Sequence, residues 1–126
     1  MLKLPTFQEM DQGLSSRIFY CAHPADMRKG FDSLAAMVRE HLGGDPLSGS
    51  LFLFMGRSRD RLKILYWDSD GYALWYKRLE AGTFRLPKVT GGQVSLELKA
   101  SELAMLLSGI DLRSVKRLPR YQRVAG

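Results

Sequence analysis

Between Leu51 and Leu79 three short runs rich in β-forming residues follow one another with only a few polar or glycine-bearing residues between them. They are Leu51 to Met55 (LFLFM), Leu62 to Asp68 (LKILYWD) and Tyr72 to Leu79 (YALWYKRL). Runs of this length and composition, broken by turn formers, read as strands of an antiparallel sheet. The link Asp68-Ser69-Asp70-Gly71 suits a type I turn with Gly71 in the left-handed position, which gives a three-residue hairpin with a bulge. That register sets Asp68 beside Tyr72, Tyr66 beside Leu74, Ile64 beside Tyr76 and Leu65 opposite Trp75. It also opposes Lys63 and Lys77, a mildly destabilising pair that becomes sensible if the face meets an anion.

The flanking segments supply the rest of a domain. Arg17 to Cys21 (RIFYC) reads as a first strand, and His23-Pro24-Ala25-Asp26 as a breaker whose Asp26 is available to cap a helix. Phe31, Leu34, Ala35, Val38 and Leu42 then fall on one helical stripe of three to four turns. Gly43-Gly44-Asp45-Pro46 ends it. Phe84-Arg85-Leu86-Pro87 reads as a short edge strand. Gln93 to Leu98 alternates, with Val94, Leu96 and Leu98 on one face. Leu103, Leu106, Leu107 and Ile110 mark a second helix with Gly109 near its end. The expected architecture is a single α+β domain over 17–112: a mainly antiparallel sheet of about five strands with two packed helices. Residues 1–16 read as an irregular extension and 113–126 as a flexible basic tail.

A chain of 126 residues with 45% hydrophobic and 25% charged residues suits one folded domain of ordinary composition. No apolar run approaches the ~18–20 residues that cross a bilayer. MLKLPTFQEM lacks an apolar signal core, and a lone cysteine, Cys21, builds no internal disulfide, so a cytoplasmic setting is expected. The net charge is +6. Arg113, Lys116, Arg117, Arg120 and Arg123 carry much of it in a stretch without acids, which leaves the folded body close to neutral. Such a tail attracts polyanions.

Signals for catalysis are missing. Cys21, His23 and His41 are too few for a four-ligand zinc site. No nucleophile motif and no phosphate-cradling GxxxxGK[ST] loop occurs. Asp26, Asp32, Asp60, Asp68, Asp70 and Glu80 could in principle hold metal ions, but their spacing does not demand it, and capping, turn and ion-pair roles account for them. A non-enzyme with no cofactor is expected.

What remains is a basic and aromatic patch. Arg57, Arg59, Arg61 and Lys63 alternate along the approach to a strand, so several project the same way if the segment is extended. Trp67, Trp75, Tyr76, Lys77 and Arg78 share the hairpin. Guanidinium groups pair with phosphate and aromatic rings stack on bases, although the same rings serve equally well in a core.

Asp26-Met27-Arg28-Lys29-Gly30-Phe31-Asp32-Ser33-Leu34 resembles the DMRKGFDGL signature of the TnpB accessory family of insertion-sequence 66 elements. The likeness continues through Asp60 to Asp68, through Leu74-Trp75-Tyr76-Lys77-Arg78-Leu79-Glu80, and through Leu103 to Asp111. It spans about residues 13–112. Ser33 stands where glycine is usual, and Lys99 where Ser or Thr precedes the last helix. Family members begin near the first strand, which would make Met10 a natural start. The resemblance implies an accessory protein required for transposition, working beside a separate transposase.

Two modes of action follow. In one, Arg57, Arg59, Arg61, Lys63, Lys77 and Arg78, helped by the tail cations, hold DNA at the element ends or target. In the other, Asp26, Arg28, Lys29, Phe31, Trp67, Trp75 and Tyr76 dock on the transposase. Arg28 and Lys29 near a helix N-terminus oppose its dipole. Either function or an ion pair, for instance with Asp32, would compensate.

Overall fold

The computed structural model describes residues 17–86, 89 and 91–109. It contains β1 (Ile18–Cys21), α1 (Phe31–Met37, widening to π-helical bonding over Val38–Leu42), β2 (Leu51–Met55), β3 (Arg61–Asp68), β4 (Gly71–Arg78), β5 (Ser95–Leu98) and α2 (Ala100–Leu107). The five strands form one sheet in the order β4-β3-β2-β1-β5. All neighbours are antiparallel except β1 and β2, which run parallel because α1 carries the chain back between them. The expected α+β class is observed.

The two helices lie on opposite faces of this sheet. Leu34, Ala35 and Val38 of α1 pack with Phe52, Phe54 and Leu65 on one face. Leu103 and Leu106 of α2 pack with Ile18, Leu51, Leu53, Leu62 and Ile64 on the other, joined by Phe84 and Leu86. A sheet covered on both sides has no solvent face, which is why every residue of LFLFM is buried. Phe31, the first member of the sequence stripe, stays 47% exposed.

Several sequence expectations are corrected here. The β3–β4 hairpin has a two-residue loop, with Ser69 rather than Gly71 at positive φ, 57°. Its register therefore shifts by one: Ile64 faces Trp75, Leu65 faces Leu74, Lys63 faces Tyr76 and Arg61 faces Arg78. The opposition of Lys63 and Lys77 does not exist. Both faces of the hairpin are apolar, so alternation did not distinguish the two registers. Phe84 to Leu86 is not a strand; its apolar side chains fill the core from irregular backbone. Val94 lies outside β5 and is 42% exposed. Asp26 does not cap α1, whose N-cap is Gly30. Lys99 is the N-cap of α2, and the Glu102 carboxylate accepts from the Lys99 amide at 2.9 Å. This is half of a capping box, and it needs no Ser or Thr. Ile110, residues 1–16 and the tail cations Arg113, Lys116, Arg117, Arg120 and Arg123 lie outside the described residues.

Candidate nucleic-acid interface

The parallel β1–β2 pair sends the two sequence motifs to the same end of the sheet. Ala25 bridges to Gly56, with its amide on the Met55 carbonyl at 2.8 Å. The DMRKG loop thus lies against the loop that carries the arginines. Glycine suits this crossing, because a Cβ at Gly56 would sit 2.9 Å from Cγ of Met27 and force that side chain to shift.

Lys63 fastens the two together from below. It is only 6% exposed, and its Nζ donates to the carbonyls of Met27 and Lys29, at 2.7 Å each. The ring of Tyr76 lies 4.8 Å away as a cation–π partner. Burial pushes the Lys63 ammonium below its ordinary pKa, while the Asp26 charge opposes that shift. A side chain so placed holds backbone and is turned away from solvent.

The DMRKG turn closes on itself. The Asp26 carboxylate accepts from the Arg28 guanidinium at 2.7 and 3.0 Å and from the Arg28 amide at 2.9 Å. The side-chain bond is the larger cause holding the Asp26 carboxyl well below the usual carboxylate range. Arg28 therefore pairs with Asp26 and not with Asp32. Lys29 is half-buried, and its amide donates to the Asp26 carbonyl.

The arginine loop is a turn rather than an extended segment. Gly56 and Arg61 pair across it, Arg59 donates from its amide to Gly56, and Arg59 takes a positive φ of 65°. Its carbonyls are pinned in turn: Phe84 donates to Arg59 at 2.8 Å and Leu79 to Asp60 at 2.7 Å. The expected alternation of Arg57, Arg59, Arg61 and Lys63 is thereby broken. Arg57 and Arg59 are exposed and meet no carboxylate among the described residues. Arg59 is nonetheless near enough to Tyr20 to work against the upward push that burial gives that phenol.

Arg61 faces Arg78 across the hairpin on the α1 side of the sheet. The like-charge opposition expected of two lysines thus occurs between two arginines. Acids offset it: Arg78 Nε contacts Glu80 at 3.0 Å, and Asp60 lies beside both guanidiniums. A hydrogen bond from the Ser58 hydroxyl is the leading cause keeping Asp60 ionised below its usual range. Lys77 projects on the opposite face. There it lines a cleft of about 170 Å³ with Arg85, Thr83 and the end of α2. Arg85 was missed in the sequence, although its place between Phe84 and Leu86, both buried, marks it as outward-facing.

The aromatics divide. Trp75 packs against the α2-side core. Trp67 meets Tyr72 edge to face at 5.2 Å. Tyr76 is 48% exposed, on the same face as α1. Among the described residues no group of three or more His, Cys, Asp or Glu is placed to hold a metal ion.

A family profile described as IS66 Orf2 like protein matches residues 16–117. The chain belongs to that family. Two relatives come from Sinorhizobium fredii (strain NBRC 101917 / NGR234). One, named uncharacterized protein y4jC, is 39% identical over 103 residues, covering 82% of this chain and 86% of its own. The other, named uncharacterized protein y4hO, is 41% identical over 115 residues, covering 91% of this chain and 98% of its own. No solved structure matches. Membership of the IS66 Orf2-like family makes the chain a transposition-associated accessory protein of an insertion-sequence system. No described helix is long and apolar enough to cross a membrane.

Proposed function

We propose that this IS66 Orf2-like protein acts in transposition by holding DNA phosphates at the arginine-bearing end of its sheet, beside a separate transposase and without bond-making chemistry of its own. The observation that carries the reading is the pairing state of the cations. Arg57 and Arg59 stand exposed on a pinned loop with no carboxylate partner among the described residues, next to the opposed Arg61 and Arg78. Guanidinium groups carried on a backbone pinned in this way bind phosphate without the cost of ordering the loop. Lys77 and Arg85 would extend the contact around the sheet's end, and the tail cations Arg113, Lys116, Arg117 and Arg120 would add reach. Lys63 has no part in it.

Titrating duplex DNA at several salt concentrations tests the idea. Each phosphate contact adds about 0.9 to the slope of log affinity against log salt. Replacing Arg57, Arg59 and Arg61 together by serine should lower the slope by roughly 2–3. A protein that binds no DNA at low ionic strength would overturn the reading.

A second reading, docking on the transposase, is favoured by one specific feature. Phe31 and Tyr76 are large, about half exposed, and on the α1 side of the sheet where Lys63 ties down the DMRKG loop. Co-purification with the transposase that survives nuclease treatment and fails in a Phe31→Ser, Tyr76→Ser variant would support it.

A further inference from the structure

Among the described residues the outer edge of β4 is open. β4 ends the sheet, and among the described residues no strand pairs with its far side. The ladder with β3 tells which backbone groups face outward. Leu79 donates to the carbonyl of Asp60, one step beyond the Arg61–Arg78 pair. Bonded and non-bonded pairs alternate along an antiparallel ladder. Lys77, Trp75 and Ala73 therefore bond inward, and Tyr72, Leu74, Tyr76 and Arg78 aim their amides and carbonyls away from the sheet.

This edge is unusually inviting. Proteins blunt exposed edges by keeping them short or by placing charges, prolines and bulges along them. The opposite edge obeys the rule, since β5 has four residues. β4 has eight, with no proline, and its cations, Lys77 and Arg78, are confined to one end. At its other end the turn carries Asp68 and Asp70.

We propose that β4 pairs antiparallel with β4 of a second copy of this chain, about a twofold axis through Leu74, joining the two sheets into one. Outward-facing residues must oppose outward-facing residues, which leaves few registers. Centring on Leu74 sets Tyr72 opposite Tyr76 of the second copy and Asp70 opposite its Arg78. The symmetry repeats both pairs, so the acidic turn of each copy meets the basic strand end of the other, two such contacts in all. A slide of two residues one way brings Asp70 against Glu80, like against like. The other way shortens the ladder and sets Asp70 against Tyr76. Charge thus favours this partner and register, with the Arg78 guanidinium shared between Glu80 of its own chain and Asp70 of the second copy. The half-exposed ring of Tyr76 gains a cross-strand aromatic neighbour.

Sedimentation or light scattering over a range of concentrations, in buffer free of nucleic acid, tests this on the full chain. The unaltered protein should reach twice the monomer mass. Asp70→Arg and Arg78→Glu, both at exposed positions, should each weaken association about tenfold or more, because each sets like charges face to face. The double variant exchanges the charges and should restore the dimer. Circular dichroism checks that each variant is folded. A chain that stays monomeric at the highest soluble concentration would overturn the proposal. A dimer that either single change leaves untouched, or that the charge exchange fails to restore, would place the interface elsewhere and overturn it equally.

Discussion

Replacing Lys63 by methionine should destabilise the fold while leaving the arginine loop's own cations in place. Methionine keeps the unbranched stem of Lys63 but removes its ammonium. Two hydrogen bonds at 2.7 Å are lost, to the carbonyls of Met27 and Lys29. Hydrogen bonds to a charged group are worth about 1.5–3 kcal/mol each, and removing the donor leaves half-buried carbonyls without it. The cation–π contact with Tyr76 adds about 0.5 kcal/mol, since that ring is half exposed. Relief of the ammonium's desolvation and of its side-chain ordering offsets part of this, so the net cost should be about 2–3 kcal/mol. In a domain of this size 1 kcal/mol moves Tm by roughly 4 °C, which gives a fall of roughly 8–12 °C. Urea unfolding followed by circular dichroism should show a lower midpoint with an unchanged slope. Amide exchange should quicken first over 27–34, the segment that Lys63 ties down. A variant within about 0.5 kcal/mol of the parent, the range of ordinary surface changes, would refute the structural role. Loss of DNA affinity without loss of stability would return Lys63 to the phosphate-binding set.

Arg59 holds a positive φ that glycine adopts without strain, so Arg59→Gly should raise stability by up to about 1 kcal/mol while weakening DNA binding; a variant that loses stability would show that the guanidinium anchors the loop. Phe54→Ala and Leu106→Ala should each cost about 2–5 kcal/mol, and their costs should add, because they empty cores on opposite faces of the sheet; a small cost for Leu106→Ala would mean that α2 is poorly packed. The Asp26 and Glu97 carboxyls, held low chiefly by hydrogen bonds from Arg28 and Arg17, bind protons less readily folded than unfolded. Their contribution is therefore complete above the ordinary carboxylate range near ~4 and is lost as pH falls through the folded values. Asp26→Asn with Glu97→Gln should flatten the acid limb of a stability–pH curve, and a limb of unchanged steepness would contradict the assignment.

The residue patterns determined the two helices and five strands, though they also suggested a strand at Phe84 that does not form. The stripe of Leu34, Ala35 and Val38, the run LFLFM and the pair Leu103 and Leu106 each marked a buried surface, because periodicity in apolar residues is a local property of the chain. The motif from Asp26 to Leu34 identified the family. Tertiary structure decided what lay across the chain. That α1 and α2 cover opposite faces made both sides of β3 and β4 apolar, and so left the hairpin register unreadable by one residue. That one step set Lys63 against Tyr76 instead of Lys77, and the DMRKG loop crossing the same face made it a buried clamp. It also made the opposed cations Arg61 and Arg78. The turn of the arginine loop was hidden for a related reason: its shape comes from bonds to Leu79 and Phe84, more than fifteen residues away. A side chain's identity is written in the sequence, but whether its charge reaches solvent depends on which distant backbone meets it.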